Sequence, residues 1–110
     1  MPFTVENRDS FTLISSNTDK LDTLAAPNLK SEFVLLDKTG VKNVLLDLSN
    51  TRYCDSSGLS ALLVGNRLFK EGGKLVICGL QPNVKKLIEI SQLHKVLNIG
   101  VTIDDAKGLF

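Results

Sequence analysis

Asn43-Val44-Leu45-Leu46-Asp47-Leu48, then Asp55-Ser56-Ser57-Gly58, then Lys74-Leu75-Val76-Ile77-Cys78-Gly79 past the pair Gly72-Gly73, decide how this chain folds. The first and last stretches are short, continuous apolar runs without the alternation of a half-exposed strand. Runs of this kind suit strands covered on both faces. Between them, Asp55 and the serines are helix-start residues, because a short side-chain oxygen accepts from the free N–H groups of a first turn. They open a helix over Ser57–Glu71, and Gly72-Gly73 closes it. Ser49–Cys54 reads as the loop that carries the chain from strand to helix. Strand, helix, strand is a βαβ unit, whose crossover is right-handed in nearly all proteins.

The same reading extends outward. Phe3–Glu6 alternates, Asn7-Arg8-Asp9-Ser10 is turn chemistry and Phe11–Ser15 is β-prone, which together predict a hairpin. After the polar loop Asn17–Lys20, the residues Leu21, Leu24, Ala25, Leu29, Phe33 and Leu36 recur at helical spacing through Leu21–Lys38. Proline fits only the first turn, so the helix proper begins near Pro27, and Thr39-Gly40 ends it. Gln81-Pro82-Asn83 starts a third helix with Val84, Leu87, Ile88 and Ser91 on one face. A last strand falls within Val96–Ile103, and Asp104–Phe110 forms a short terminal helix. Strands alternating with helices predict an α/β fold around a mostly parallel sheet. The loops leaving its strands then gather on one edge, where the function of such sheets usually sits. Asp55-Ser56-Ser57-Gly58 lies there.

Composition narrows the functional classes. The 110 residues suit one domain, 43% hydrophobic and 23% charged, with a formal net charge of +1. Basic residues are scattered, so nothing points to nucleic acid or an anionic membrane surface. No signal peptide is apparent, and no apolar run approaches the roughly 20 residues of a transmembrane helix. Cys54 and Cys78 are expected as free thiols in a reducing cytoplasm.

Catalytic parts are scarce. His94, the single histidine, ends the third helix and reads as a surface or cap residue; nothing in the spacing joins it to Ser56 in a triad. Asp19, Asp22, Asp47 and Asp55 can approach one sheet edge, but without a tight oxygen-ligand pattern for a metal. No phosphate loop or dinucleotide fingerprint occurs, and no cofactor is expected. What remains is Asp55-Ser56-Ser57-Gly58-Leu59. It can be an ordinary capped helix start with structural serines. It can equally be a modification site: a phosphate there would face the helix's positive end, while a partner docked on the same turn would be disturbed. Gly58, lacking a side chain, is expected to let another chain approach.

Cys54-Asp55-Ser56-Ser57-Gly58-Leu59, the run Lys70-Glu71-Gly72-Gly73-Lys74-Leu75-Val76-Ile77-Cys78-Gly79-Leu80, Pro82–Ile88 and Gln92-Leu93 resemble the core of STAS domains of the anti-sigma factor antagonist type. Upstream, Leu21-Asp22 with Ala25–Leu29 resembles the family's first helix start, and Val44–Ser49 its central strand. The resemblance covers nearly the whole chain, taken as one STAS domain over 1–110. It implies a mostly parallel sheet of four to five strands with an antiparallel N-terminal edge strand, flanked by about four helices. It also implies a non-enzymatic role in transcription regulation by partner switching. In that scheme the unphosphorylated protein binds an anti-sigma factor that is also a GHKL-type serine kinase, through Asp22, Asp55, Ser56, Ser57, Gly58 and Leu59. A sigma factor is thereby freed. Phosphorylation on Ser56 releases the kinase, and a PP2C-type phosphatase resets the switch. The protein is expected as a monomer or weak dimer. Two positions depart from the family pattern. Asp19-Lys20 stands where a Gly-Glu pair is common, changing charge on an expected partner-facing loop, and Tyr53-Cys54 stands where the residue before the motif is commonly aliphatic. A soluble STAS subunit serving a lipid or anion transporter is the alternative.

Overall fold

The computed structural model describes residues 1–110. Its strands are β1 (Phe3–Asn7), β2 (Thr12–Ser16), β3 (Lys20–Leu21), β4 (Asn43–Asp47), β5 (Tyr53–Cys54), β6 (Lys74–Cys78) and β7 (Asn98–Ile99), and its helices α1 (Ala26–Lys38), α2 (Ser56–Leu68), α3 (Pro82–Ile90) and α4 (Ile103–Lys107). A single turn of 3₁₀ helix, Leu93–Lys95, follows α3. Five strands form the main sheet in the order β1-β2-β4-β6-β7, and β3 pairs separately with β5. β1 is the antiparallel edge; β2, β4, β6 and β7 run parallel.

The continuous apolar runs are buried on both faces. Leu46 lies between Ile14 and Ile77, and Leu45 between Leu13 and Val76. Successive residues of a strand point to opposite sides, so these rows serve two cores. The larger one joins Ile14, Leu46 and Ile77 to Leu29, Phe33, Leu62, Val84 and Ile88 of α1, α2 and α3. The smaller joins Leu13, Leu45, Val76 and Cys78 to Ala106 of α4, and Phe110 stacks on Phe11 with ring centroids 5.5 Å apart. Truncating a residue such as Leu46 or Leu62 to alanine would cost about 2–5 kcal/mol.

Helices α1 and α2 lie against each other because a glycine lets them. A Cβ on Gly65 would sit 2.5 Å from the Phe33 ring. Phe33 in turn meets Phe69 edge-on at 5.9 Å.

Several details differ from the sequence-based expectation: α4 spans Ile103–Lys107 rather than Asp104–Phe110, and His94 lies in the 3₁₀ turn beyond α3 rather than at its end. Leu24 belongs to the turn before α1 rather than to its apolar face and is 83% exposed. Helix α2 begins at Ser56 and stops at Leu68, short of Glu71; the buried Phe69 caps it, its amide donating to the Gly65 carbonyl at 3.2 Å, and Gly72 (φ +80°) completes the turn that follows. Ser91 is exposed and Leu87 only half-buried, so α3 buries Val84 and Ile88 alone. Ser49–Cys54 is not all loop, since Tyr53 and Cys54 form β5.

Candidate functional site

The pairing of β3 with β5 builds the start of α2. Lys20 aligns with Tyr53 and Leu21 with Cys54. The two segments are also tied upstream: the Arg52 and Tyr53 amides donate to the Asp19 carbonyl at 2.9 and 3.1 Å. Thr51 Oγ1 lies 2.6 Å from Ser16 Oγ and donates to the Thr18 carbonyl at 2.8 Å, a buried polar knot that anchors this loop to the end of β2. On the surface, Arg52 clasps Asp19 with bonds of 2.7 and 3.2 Å. Hydrogen bonding from Arg52 holds the Asp19 carboxyl below its usual range and raises the guanidinium. The departure at Asp19-Lys20 is thus partly internal: Asp19 belongs to a clasp between two loops and Lys20 to β3.

The ribbon delivers Asp55 in an extended conformation (φ −116°, ψ −170°), and its carboxylate accepts from the Gly58 amide at 3.1 Å. The Asp55 amide donates to the Leu21 carbonyl at 3.3 Å. The capping oxygen of α2 therefore comes from Asp55, and the exposed Ser56 hydroxyl stands beside it in the first turn. Ser57 and Leu59 are half-buried, Leu59 against the main core.

Gly58 plays a different part from the one its sequence suggests. It is buried, and a Cβ there would strike the Leu21 carbonyl oxygen and lie 2.5 Å from Cys54 Sγ. The close approach that requires glycine is made by the chain's own β3–β5 ribbon, not by an outside partner. Asp22 also has an internal duty. Its Oδ1 accepts from the Leu24 and Ala25 amides at 3.0 and 3.2 Å, closing the turn that feeds α1.

Other candidate groups are committed separately. The Asp47 carboxylate accepts from the Ser49 amide at 2.9 Å. His94 is exposed and lines a groove with Leu80, Lys85 and Leu97, not with Ser56. Burial, assisted by Asp55 and by Asp47 respectively, pushes the Cys54 and Cys78 thiols up to about 12.

Ser56 and Ser57 open onto a groove of about 350 Å³ between the starts of α1 and α2, where Thr23, Ala26, Lys30 and Ser60 also face it. Sequence reasoning missed Lys30. The signal was there in helical spacing: Thr23, Ala26 and Lys30 share one face of the segment entering α1, and Ser56 and Ser60 one face of α2. It also missed the exposure of two side chains beside this edge, Leu24 in the turn before α1 and Tyr53 in β5, the latter 46% exposed with Arg52 5.8 Å from its ring centre.

The fold and this edge define a class: an α/β module with exposed polar residues at the capped start of a helix. The family model described as the STAS domain matches residues 3–106. BtrV of Bordetella bronchiseptica, assigned by its name to the anti-sigma factor antagonists, is 30% identical over 111 residues, spanning 100% of this chain and 95% of that protein. Among solved structures, an anti-sigma factor antagonist from Mycobacterium paratuberculosis superimposes with a TM-score of 0.88 at 21% identity, over 97% of this chain and 91% of that one. SpoIIAA does so in its unphosphorylated form (0.79, 20% identity, 94% and 91%) and in its phosphorylated form (0.73, 19%, 96% of each). At such identities the structural likeness is one of fold. The chain belongs to the STAS domain family.

Proposed function

We propose that this protein is an anti-sigma factor antagonist that works by partner switching in the cytoplasm, with residues 1–110 as one STAS unit. Unmodified, it docks an anti-sigma factor that is also a GHKL-type serine kinase, and a sigma factor is set free. The docking surface is the start of α2 at Asp55, Ser56, Ser57 and Leu59, with Gly58 and Asp22 shaping it from within. The kinase passes the γ-phosphoryl group of ATP to Ser56 Oγ; ADP and the hydroxyl proton leave, and the complex separates. A PP2C-type phosphatase hydrolyses the ester with water, returning the hydroxyl and inorganic phosphate.

One observation carries this reading: Asp55, not Ser56, caps α2, so the exposed Ser56 hydroxyl is free to be modified without removing the cap. An added charge of about −1.5 to −2 faces the positive end of a 13-residue helix, which the fold tolerates. A partner pressed on the same turn must desolvate that charge, which disfavours the complex. Neither role calls for catalysis by this chain. The reading also accords with BtrV's name and with the existence of SpoIIAA in both phosphorylation states. The test is reaction with the cognate kinase and ATP, followed by phosphopeptide mapping. Phosphate on Ser56 is expected; phosphate confined to Ser57 would overturn the assignment.

A further inference from the structure

We infer that Lys30 is the residue that receives the phosphate once Ser56 carries it, so that the groove between α1 and α2 is a cradle holding the released form of the protein. The inference rests on Ser56 as the phosphoacceptor and adds what the phosphate does after transfer. Lys30 and Ser56 line the same groove from opposite helices, and Lys30 is the only charged side chain that lines it. Its ammonium has no partner: the ion pairs of the chain are Arg8 with Glu6, Arg52 with Asp19 and Lys107 with Asp104. Lys30 is half-buried on the groove wall, as suits a lysine whose apolar stem can be covered while its charge stays hydrated. Thr23, Ser57 and Ser60 add hydroxyl donors on the same walls. The two nearby carboxylates are turned to other work, Asp55 to the Gly58 amide and Asp22 to the amides of Leu24 and Ala25. A monoester dianion offers three strong acceptor oxygens. One ammonium and several hydroxyls, with no carboxylate on the walls, match that demand.

The consequence is regulatory. An ester drawn onto Lys30 lies between the helices rather than projecting from the turn. Phosphorylation thus engages Lys30 in the same event that adds charge at Ser56.

The experiment separates this claim from the identity of the kinase. Phosphoserine is installed at position 56 during translation, and the full chain is titrated by phosphorus NMR as wild type, Lys30→Met, Lys30→Arg and Lys38→Met. Lys38 is exposed at the far end of α1, so its loss changes net charge equally. The second ionisation of a phosphoserine ordinarily lies near about 6. Lys30→Met is expected to raise it by about 0.2–0.7 unit relative to wild type, the size of an ion pair near the surface. Lys30→Arg should keep the wild-type value, and Lys38→Met should move it far less than Lys30→Met. An ionisation indifferent to Lys30→Met, or equally sensitive to Lys38→Met, overturns the inference while leaving the phosphoacceptor assignment to the mapping experiment. Melting curves of the same proteins identify a merely structural lysine, whose loss lowers the melting temperature and leaves the phosphate unmoved.

Discussion

Replacing Gly58 with alanine puts a methyl group where the chain has no room. The new carbon would strike the Leu21 carbonyl oxygen, lie 2.5 Å from Cys54 Sγ and lie 2.9 Å from Leu21 Cγ. The sulfur and the leucine side chain can move a little. The carbonyl cannot move freely, because it accepts from the Asp55 amide at 3.3 Å in the ribbon that positions the helix start. Two effects compete. In an exposed helix interior, alanine in place of glycine would stabilise by about 1 kcal/mol through propensity. Overpacking against a fixed backbone costs about 1–3 kcal/mol, at times more. With backbone among the obstacles the upper end applies, so the net loss is about 1–2 kcal/mol. For a domain of this size that is a fall in Tm of roughly 4–12 °C. Removing one obstacle, as Gly58→Ala with Cys54→Ala, should recover part of the loss but not all. Thermal melts of wild type and the single and double variants read this directly. A Gly58→Ala protein that melts at or above wild type would refute the claim that this glycine serves the ribbon's close approach.

Two further outcomes follow from the electrostatics. With its folded pKa depressed by Arg52, the Asp19 carboxyl contributes stability that is present above the unfolded value near 3.8 and is lost as pH falls through the lower folded value. An NMR titration should place the Asp19 midpoint below 3.8 in wild type and move it upward in Arg52→Gln; an unmoved midpoint would deny the clasp. The Cys54 and Cys78 thiols, raised from 9.0 to about 12, contribute stability present below 9.0 and lost as pH rises toward the folded values. A rise of about three units leaves on the order of 10³ less thiolate at neutral pH. Alkylation of the native protein should therefore be far slower than in denaturant, and reductant should leave the Tm unchanged.

The layout of the fold was legible wherever periodicity had room to act. The runs over Val44–Leu48 and Leu75–Cys78 announced doubly covered strands, and the α1 pattern with Pro27 in its first turn announced a helix and its start. What escaped was short or tertiary. Strand β3 is two residues long, as is β5, and neither has a period to detect; they exist because each supplies the other's hydrogen bonds. Leu24 matched helical spacing, yet Asp22 holds it in a turn, and α2 ends one turn before Glu71, with Phe69 as its cap and Gly72 in the left-handed region beyond it. At the site, the motif Asp55-Ser56-Ser57-Gly58 identified the helix start. The division of labour within it was illegible, because which oxygen caps and what Gly58 touches depend on β3, some 35 positions upstream in sequence. Lys30 was hidden for the same reason: its meaning comes from the helix across the groove.

The central claim, that charge at this turn governs partner binding without harming the fold, is tested most directly with Ser56→Asp. At the helix start the carboxylate should be neutral or stabilising by about 0.3–1 kcal/mol. At a docked interface it must be buried without a partner, at a cost of about 2–5 kcal/mol, or roughly 30-fold and more in affinity. Titration calorimetry of wild type, Ser56→Asp and Ser56→Ala against the anti-sigma factor kinase, beside melts of all three, gives both numbers. Ser56→Asp is expected to melt at or above wild type and to bind at least about 30-fold more weakly, while Ser56→Ala binds whether or not ATP is present. A Ser56→Asp protein that melts normally yet binds as tightly as wild type would contradict it.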